Sequence, residues 1–440
     1  MSITEARPGP TAMVSPPRYS TARAWMITAM LALFMIVNWG DKSVLGLTGK
    51  AIMHDLALTP AQYGFIGSAF FFLFGIGTVL GGFLVDRIRT TPMLLAMGVV
   101  WAIVQFPVLG FASFGVLLAA RIILGLAEGP ASPVALHGVM KWFPDDRRDI
   151  PAAIVMGASS LGLLVAAPVM AYVQVHWGWR WCFGVLGIAG LGWSALWLLI
   201  GREGPYDKAA ASGSAGAAAA PEADGGRVPF RRIVTSRTWL AFAISGFGCY
   251  VVTAQLTTWV PAYLGTVAGL DTLSMGNWMA ATAAVGAVAM FSQGAISRFL
   301  ISRGVSKRRA RAGVAAVYIL IAAACLVGFV YTTGNVQLLL MLPAFNLFVA
   351  TFPAGSAAIA QIAPVAQRGA ALGVLFGALG LAGVLAPYIT GRLIEAAAIP
   401  ADGYHLAFLI GAGLLVVAGL TVLFLADPDR DADRLAALKK

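Results

Sequence analysis

The chain has 440 residues, of which 59% are hydrophobic and 11% charged, and it carries a net charge of +11. A soluble domain is about 45–50% apolar and about 25% charged, so a soluble enzyme or binding module could not bury this much apolar surface. The composition points to a protein that crosses a membrane many times.

Residues 1–22 are rich in Pro, Ser and Thr, with no apolar run before Ala24. They read as a disordered cytoplasmic tail, not a cleaved signal peptide. A membrane-crossing helix needs about 20 apolar residues. Runs of that kind fall at 24–47, 61–85, 92–112, 114–140, 151–173 and 179–200, then at 238–264, 274–297, 312–331, 335–360, 367–391 and 403–425. All twelve should be helices, because lipid offers no partner to unpaired backbone groups. The longest interruption, 201–237, holds the small-residue tract Ala209–Ala220 and a basic patch at Arg227, Arg231, Arg232 and Arg237. It reads as a flexible cytoplasmic linker between two six-helix bundles, 23–200 and 238–425. Residues 426–440 complete the chain as a cytoplasmic tail.

Loop charges set the orientation. With the N-terminus inside, all but five of the 30 Lys and Arg residues face the cytoplasm or lie in cytoplasmic tails. The exceptions are Lys50, Arg180 and Arg392 outside, and Lys42 and Arg121 within spans. That asymmetry follows the positive-inside rule and places both termini in the cytoplasm. It also accounts for the basic balance without nucleic acid. The expected setting is a lipid bilayer, specifically the bacterial cytoplasmic (inner) membrane. Cys182, Cys249 and Cys325 fall in spans and show no metal or disulfide spacing.

The two halves echo each other. Ala167-Pro168 recurs as Ala386-Pro387, and Trp39 in the first span is matched by Trp259 in the seventh, both at a separation near half the chain. Such internal symmetry is expected of large transporter folds.

Four ionisable residues lie where composition predicts hydrocarbon: Asp41 and Lys42 in the first span, Arg121 and Glu128 in the fourth. A charge there costs about 2.5–3.5 kcal/mol on insertion scales, so such residues mark function. Arg121 and Glu128 are two helical turns apart and share a face, whereas Asp41 and Lys42 diverge by about 100°. A buried acid holds its proton to higher pH unless a cation is near, and a fixed cation attracts an anion. Two acids and two cations can therefore couple a proton to an anion. Alternatively, the two pairs neutralise one another as structural salt bridges.

Several stretches resemble the major facilitator superfamily. Gly82-Phe83-Leu84-Val85-Asp86-Arg87-Ile88-Arg89 resembles its loop signature, which implies a cytoplasmic gate formed by Gly82, Asp86 and Arg87. In the matching loop of the second half, Arg298 stands where that family often has Asp. Within the superfamily the chain resembles the anion:cation symporters, which include sugar-acid, aromatic-acid and dicarboxylate importers. The resemblance rests on Asn38-x-x-Asp41-Lys42, Arg121-x-x-x-Gly125-x-x-Glu128-Gly129-Pro130, Trp142-Phe143-Pro144, Gly178-Trp179-Arg180-Trp181 and Trp259-Val260-Pro261-Ala262-Tyr263-Leu264.

The resemblance implies an all-α fold of twelve helices in two pseudo-symmetric bundles, working as a monomer by alternating access. It makes Asp41 and Glu128 the proton carriers and Lys42 and Arg121 the anion-binding and coupling cations, with those two roles exchangeable. Phe74 stands where sugar-acid members carry Tyr, Ser159 where they carry Gln, and Phe376 and Gly380 where they carry two Asn. Those departures suggest an aromatic or lightly hydroxylated carboxylate; a sugar acid is the alternative. The second half offers Tyr250, Gln255, Trp259, Asn346 and Thr351 as neutral contacts. The coupling ion is the proton, with no other cofactor and no metal. A drug:proton antiporter is a weaker alternative, because Pro168 is not followed by the Gly-rich signature of that group. Nothing suggests an enzyme.

Overall fold

The computed structural model describes residues 20–84, 87–144, 147–206, 228–306, 308–364 and 367–438. Among them are twelve helices long and apolar enough to cross a membrane: α1 (Thr21–Asp55), α2 (Pro60–Gly81, continuing to Leu84), α3 (Thr90–Phe111), α4 (Phe114–Met140), α5 (Asp149–Trp177), α6 (Trp179–Ile200), α7 (Arg237–Thr258), α8 (Thr272–Ser302), α9 (Arg309–Tyr331), α10 (Gly334–Ile362), α11 (Arg368–Ala396) and α12 (Pro400–Leu425). Polar side chains fix several starts. Ser20, Ser113, Ser236 and Asp271 accept backbone N–H bonds at the heads of α1, α4, α7 and α8, satisfying donors that have no partner within the helix. At the α5–α6 corner Gly178 takes φ +84°, a conformation that favours glycine.

Large apolar side chains remain on the outside, among them Phe111 at 82%, Leu199 at 78% and Phe291 at 78% exposure. A belt of that kind needs lipid to cover it, so the chain is an integral membrane protein. At about 1.5 Å per residue, the 35 residues of α1 run about 52 Å against about 30 Å of hydrocarbon. Its last turns, with Lys50 and Asp55, therefore project beyond the membrane. This is longer at both ends than the apolar run 24–47, because polar residues can continue a helix into the interface.

Helices within each half approach closely at small residues. Methyl groups added to Gly77, Gly81, Gly125 or Gly129 would overlap the facing helix of the α2–α4 pair. α4 breaks after Glu128, at Gly129-Pro130. The Gly129 carbonyl at the break accepts the Thr78 hydroxyl at 3.0 Å. α10 breaks at the corresponding place, where Leu347–Ala350 form a 3-10 turn. Pro168 and Pro387 likewise lie inside α5 and α11.

Hydrogen bonds join the halves mainly at the end away from the chain termini. Lys50 Nζ donates to the Gly265 carbonyl at 2.8 Å, the Ala61 amide to Glu395 at 3.2 Å and the Tyr63 hydroxyl to Thr258 O at 3.3 Å. The Tyr388 amide donates to Ser68 at 3.1 Å. Nearer the middle, Ser160 meets Met290 Sδ at 3.9 Å.

Part of the expected linker and the first nineteen residues lie outside the described residues. Val228 closes the linker by exchanging two hydrogen bonds with Gln367. The segment expected as a C-terminal tail contains α13 (Pro428–Ala436). Its Asp431 accepts the Thr238 amide at the head of α7 at 2.8 Å, and Asp427 pairs with Arg308 at 3.1 Å. Composition does not reveal this helix, because its stability comes from those docking bonds.

Candidate functional site

α1 and α4 bring the four intramembrane charges together as two crossed pairs. Lys42 Nζ lies 3.4 Å from Glu128 Oε2, and Arg121 Nη1 lies 3.8 Å from Asp41 Oδ2. The helical geometry explains the crossing. Asn38 and Lys42 are one turn apart on one face of α1 and meet Glu128, while Asp41, about 100° away, meets Arg121. Arg121 and Glu128 share a face of α4, yet each is matched to a different α1 partner.

Neutral groups complete the cluster. Asn38 Nδ2 donates to Glu128 Oε2 at 2.9 Å, and Asn38 Oδ1 accepts from Lys42 Nζ at 2.6 Å. Gln105 of α3 donates from Nε2 to Asp41 Oδ1 at 2.5 Å. The Arg121 guanidinium lies over the Phe183 ring at 5.7 Å, and Lys42 Nζ lies over Trp39 at 4.8 Å and Phe74 at 5.5 Å. The Arg121, Asp41 and Glu128 side chains are at most 5% exposed, whereas Lys42 keeps 16%. Lys42 is thus the cation that reaches open space. Several buried atoms lack a hydrogen-bond partner: Arg121 Nε and Nη2, Asp41 Oδ2 and Glu128 Oε1. Unmet polar atoms at this depth are costly.

The other sequence-predicted residues divide. Phe74 touches Phe70 and Phe71, and Phe71 meets the Tyr250 ring at 5.7 Å, which joins the cluster to the second half. Tyr250 continues to Phe352. Ser159 is half-buried on α5 beside Ser160. Asn346 is buried at the α10 break with Nδ2 unpartnered, as is the Thr351 hydroxyl. Gln255 and Trp259 are enclosed among the helices, and Gln255 Oε1 is buried without a partner. Gln255 donates to the Ala407 carbonyl and Trp259 to that of Pro387, both carbonyls of neighbouring helices. Phe376 is 45% exposed and makes no ring contact among the described residues, and Gly380 faces open space. Of the expected gate, Gly82 lies in α2, Asp86 lies outside the described residues, and Arg87 is exposed just past the helix. Among the described residues no group of His, Cys, Asp and Glu could hold a metal.

Two participants escaped the sequence reading. Asn38 was part of a motif without a role. Gln105 was missed, though an amide in the middle of the apolar run of α3 was a usable signal.

The family model of the Major Facilitator Superfamily matches residues 31–350 and 300–440 in two overlapping stretches. Among similar proteins, the hexuronate transporter of Bacillus subtilis (strain 168) is 28% identical, over 91% of this chain and 95% of its own. A probable galactarate/D-glucarate transporter of the same organism is 26% identical over 96% and 98%. A probable sulfoacetate transporter of Cupriavidus necator is 25% identical over 91% and 93%. In fold, the chain is similar to a bacterial homologue of the human lysosomal transporter Spinster, in an inward-facing, unoccupied conformation. The TM-score is 0.77 at 18% identity, covering 95% of this chain and 99% of the other. It is also similar to a D-xylose-proton symporter, with a TM-score of 0.74 at 17% identity, covering 92% and 99%.

Proposed function

Because the chain belongs to the Major Facilitator Superfamily, and is a membrane transporter and not an enzyme, we propose that it imports a sugar acid together with protons across the bacterial cytoplasmic membrane. The crossed pairing of Lys42 with Glu128 and Asp41 with Arg121 carries this reading. With both acids ionised the cluster sums to zero charge. A proton on Glu128 leaves Lys42 without its counter-charge. A substrate carboxylate then restores neutrality, so loading with one species favours loading with the other. Lys42 is the anchor, because it reaches open space; Arg121 holds Asp41 and supplies the second cation. Asp41 and Glu128 remain the proton carriers.

The substrate reading shifts from an apolar acid to a hydroxylated one. Relatives named for hexuronate and galactarate/D-glucarate transport support it. So do polar groups of both halves: the hydroxyls of Ser159, Ser160 and Tyr250, with Asn346 Nδ2 and Thr351 Oγ1 buried in the second half without a partner. Each can serve a substrate hydroxyl that would otherwise cost about 1–3 kcal/mol. A smaller, less hydroxylated acid is a second reading, favoured by Phe74 beside Lys42 and by likeness to the sulfoacetate transporter. With both termini cytoplasmic, the bonds between the halves close the outer end, which corresponds to an inward-open state of a monomer. A thermal-shift panel of D-glucuronate, D-glucarate, galactarate, sulfoacetate and benzoate tests the substrate class. The sugar acids should stabilise the purified protein most. Stabilisation by benzoate or sulfoacetate alone would defeat the sugar-acid reading.

A further inference from the structure

Asn38 is uncharged and does no titrating, yet it is fully enclosed at the centre of the cluster. The direct Lys42–Glu128 separation of 3.4 Å is longer than the roughly 2.7–2.9 Å of a charge-assisted hydrogen bond. The short links, 2.6 Å to Lys42 and 2.9 Å to Glu128, both run through the Asn38 amide. We propose that Asn38 is a positioning residue that makes release of Lys42 conditional on the protonation state of Glu128. This inference rests on the proton-coupled reading above.

An amide carries its acceptor and its donors on opposite atoms. Ionised Glu128 fixes Nδ2, and that orientation necessarily presents Oδ1 to Lys42. The amide thus makes one object of the acid and the cation. When Glu128 is neutral, Nδ2 loses its charged acceptor and the amide can turn. Lys42 then loses its counter-charge and its oriented acceptor together. Without Asn38, only the longer direct contact would link the two, and Lys42 would be released to a carboxylate more readily while Glu128 is still ionised. The ionisable groups facing this point are Asp41 and Lys42 on α1 and Arg121 and Glu128 on α4. α3 contributes neutral Gln105 and α2 the Phe74 ring over Lys42, while Ser160 on α5 meets Met290 and Tyr250 on α7 meets the Phe71 ring.

The test measures the affinity of the full chain at pH 5.5 and pH 8 for D-glucuronate, D-glucarate, galactarate, sulfoacetate and benzoate. Parent protein is compared with Asn38→Leu, close in volume without polar atoms, and with Asn38→Ser, too short to span both partners, in case the first fails to fold. The parent should bind its best acid about tenfold more tightly at pH 5.5, equivalent to a protonation equilibrium that moves by about one pH unit when the acid binds. Either variant should reduce that ratio to about threefold or less. A purely structural role would lower affinity at both pH values and keep the ratio, which overturns the inference alone. A parent with equal affinity at both pH values, or with no affinity for any acid of the panel, overturns the coupling or acid-transport reading and this inference with it.

Discussion

Replacing Glu128 with Gln separates coupling from binding. The side chain keeps its shape, and its amide oxygen can still accept from Asn38 Nδ2, as Glu128 Oε2 does, with Lys42 Nζ 3.4 Å away. What disappears is the charge. At 3.4 Å and an effective dielectric constant of about 20, the attraction to Lys42 amounts to about 5 kcal/mol before desolvation is counted. Breaking a buried pair costs about 3–5 kcal/mol. Because Lys42 retains 16% exposure, a loss near the lower end, about 3 kcal/mol, is expected. Coupling should change far more. A gradient of about 1.5 pH units supplies about 2 kcal/mol per proton, enough for about thirtyfold accumulation of a monoanion by one-to-one symport. In proteoliposomes the parent should approach that ratio. Glu128→Gln should equilibrate the acid without accumulation, while exchange of labelled for unlabelled substrate continues. Undiminished accumulation would remove Glu128 from the mechanism.

Other outcomes follow from the same geometry. Lys42→Ala should abolish acid binding by calorimetry at every pH, whereas Arg121→Lys should fold but transport slowly; retained binding in Lys42→Ala with loss in Arg121→Ala would pass the anchor to Arg121. Tyr250→Phe should weaken a sugar acid more than benzoate, and equal effects would take its hydroxyl out of recognition. Gly125→Ala drives a methyl group into the Phe70 carbonyl, so the melting temperature should fall by the equivalent of about 1–3 kcal/mol. Just past the end of α6, burial acts to raise the Glu203 carboxyl, but the Thr91 amide, the Thr90 hydroxyl and Lys141 together hold it below the usual carboxylate range. Its stabilisation is therefore complete above an unfolded value of about 4.3 and lost as pH falls through the lower folded value. Glu203→Gln should destabilise the protein at pH 7, and the gap to the parent should shrink in melts at progressively more acid pH.

The twelve helices were legible because apolar runs of membrane length leave little choice of backbone. The intramembrane charges were legible for a related reason: Asp41, Lys42, Arg121 and Glu128 stand out where charge is expensive. Their pairing was not. The seven-residue spacing puts Arg121 and Glu128 on one face, but their partners depend on the rotation of α1 against α4, set by contacts far apart in sequence. Neutral groups were harder still. Gln105 and Asn38 bond to the carboxylates of the cluster, while Gln255 and Trp259, also central in sequence, donate to carbonyls of neighbouring helices. Only the direction of each side chain separates them. The polar-to-apolar changes at Phe74 and Phe376 suggested a less hydroxylated substrate, a reading that gave no weight to the hydroxyl of Ser160, which lies between the halves.

Proton movement driven by the substrate tests the central claim most directly. Proteoliposomes with a pH dye inside and no initial gradient would receive D-glucuronate, D-glucarate or galactarate. The crossed α1–α4 cluster predicts that the lumen acidifies as the acid enters, and that Glu128→Gln abolishes the signal while labelled acid still equilibrates. Entry of the acid with no proton movement, or with proton flow in the opposite direction, would contradict it.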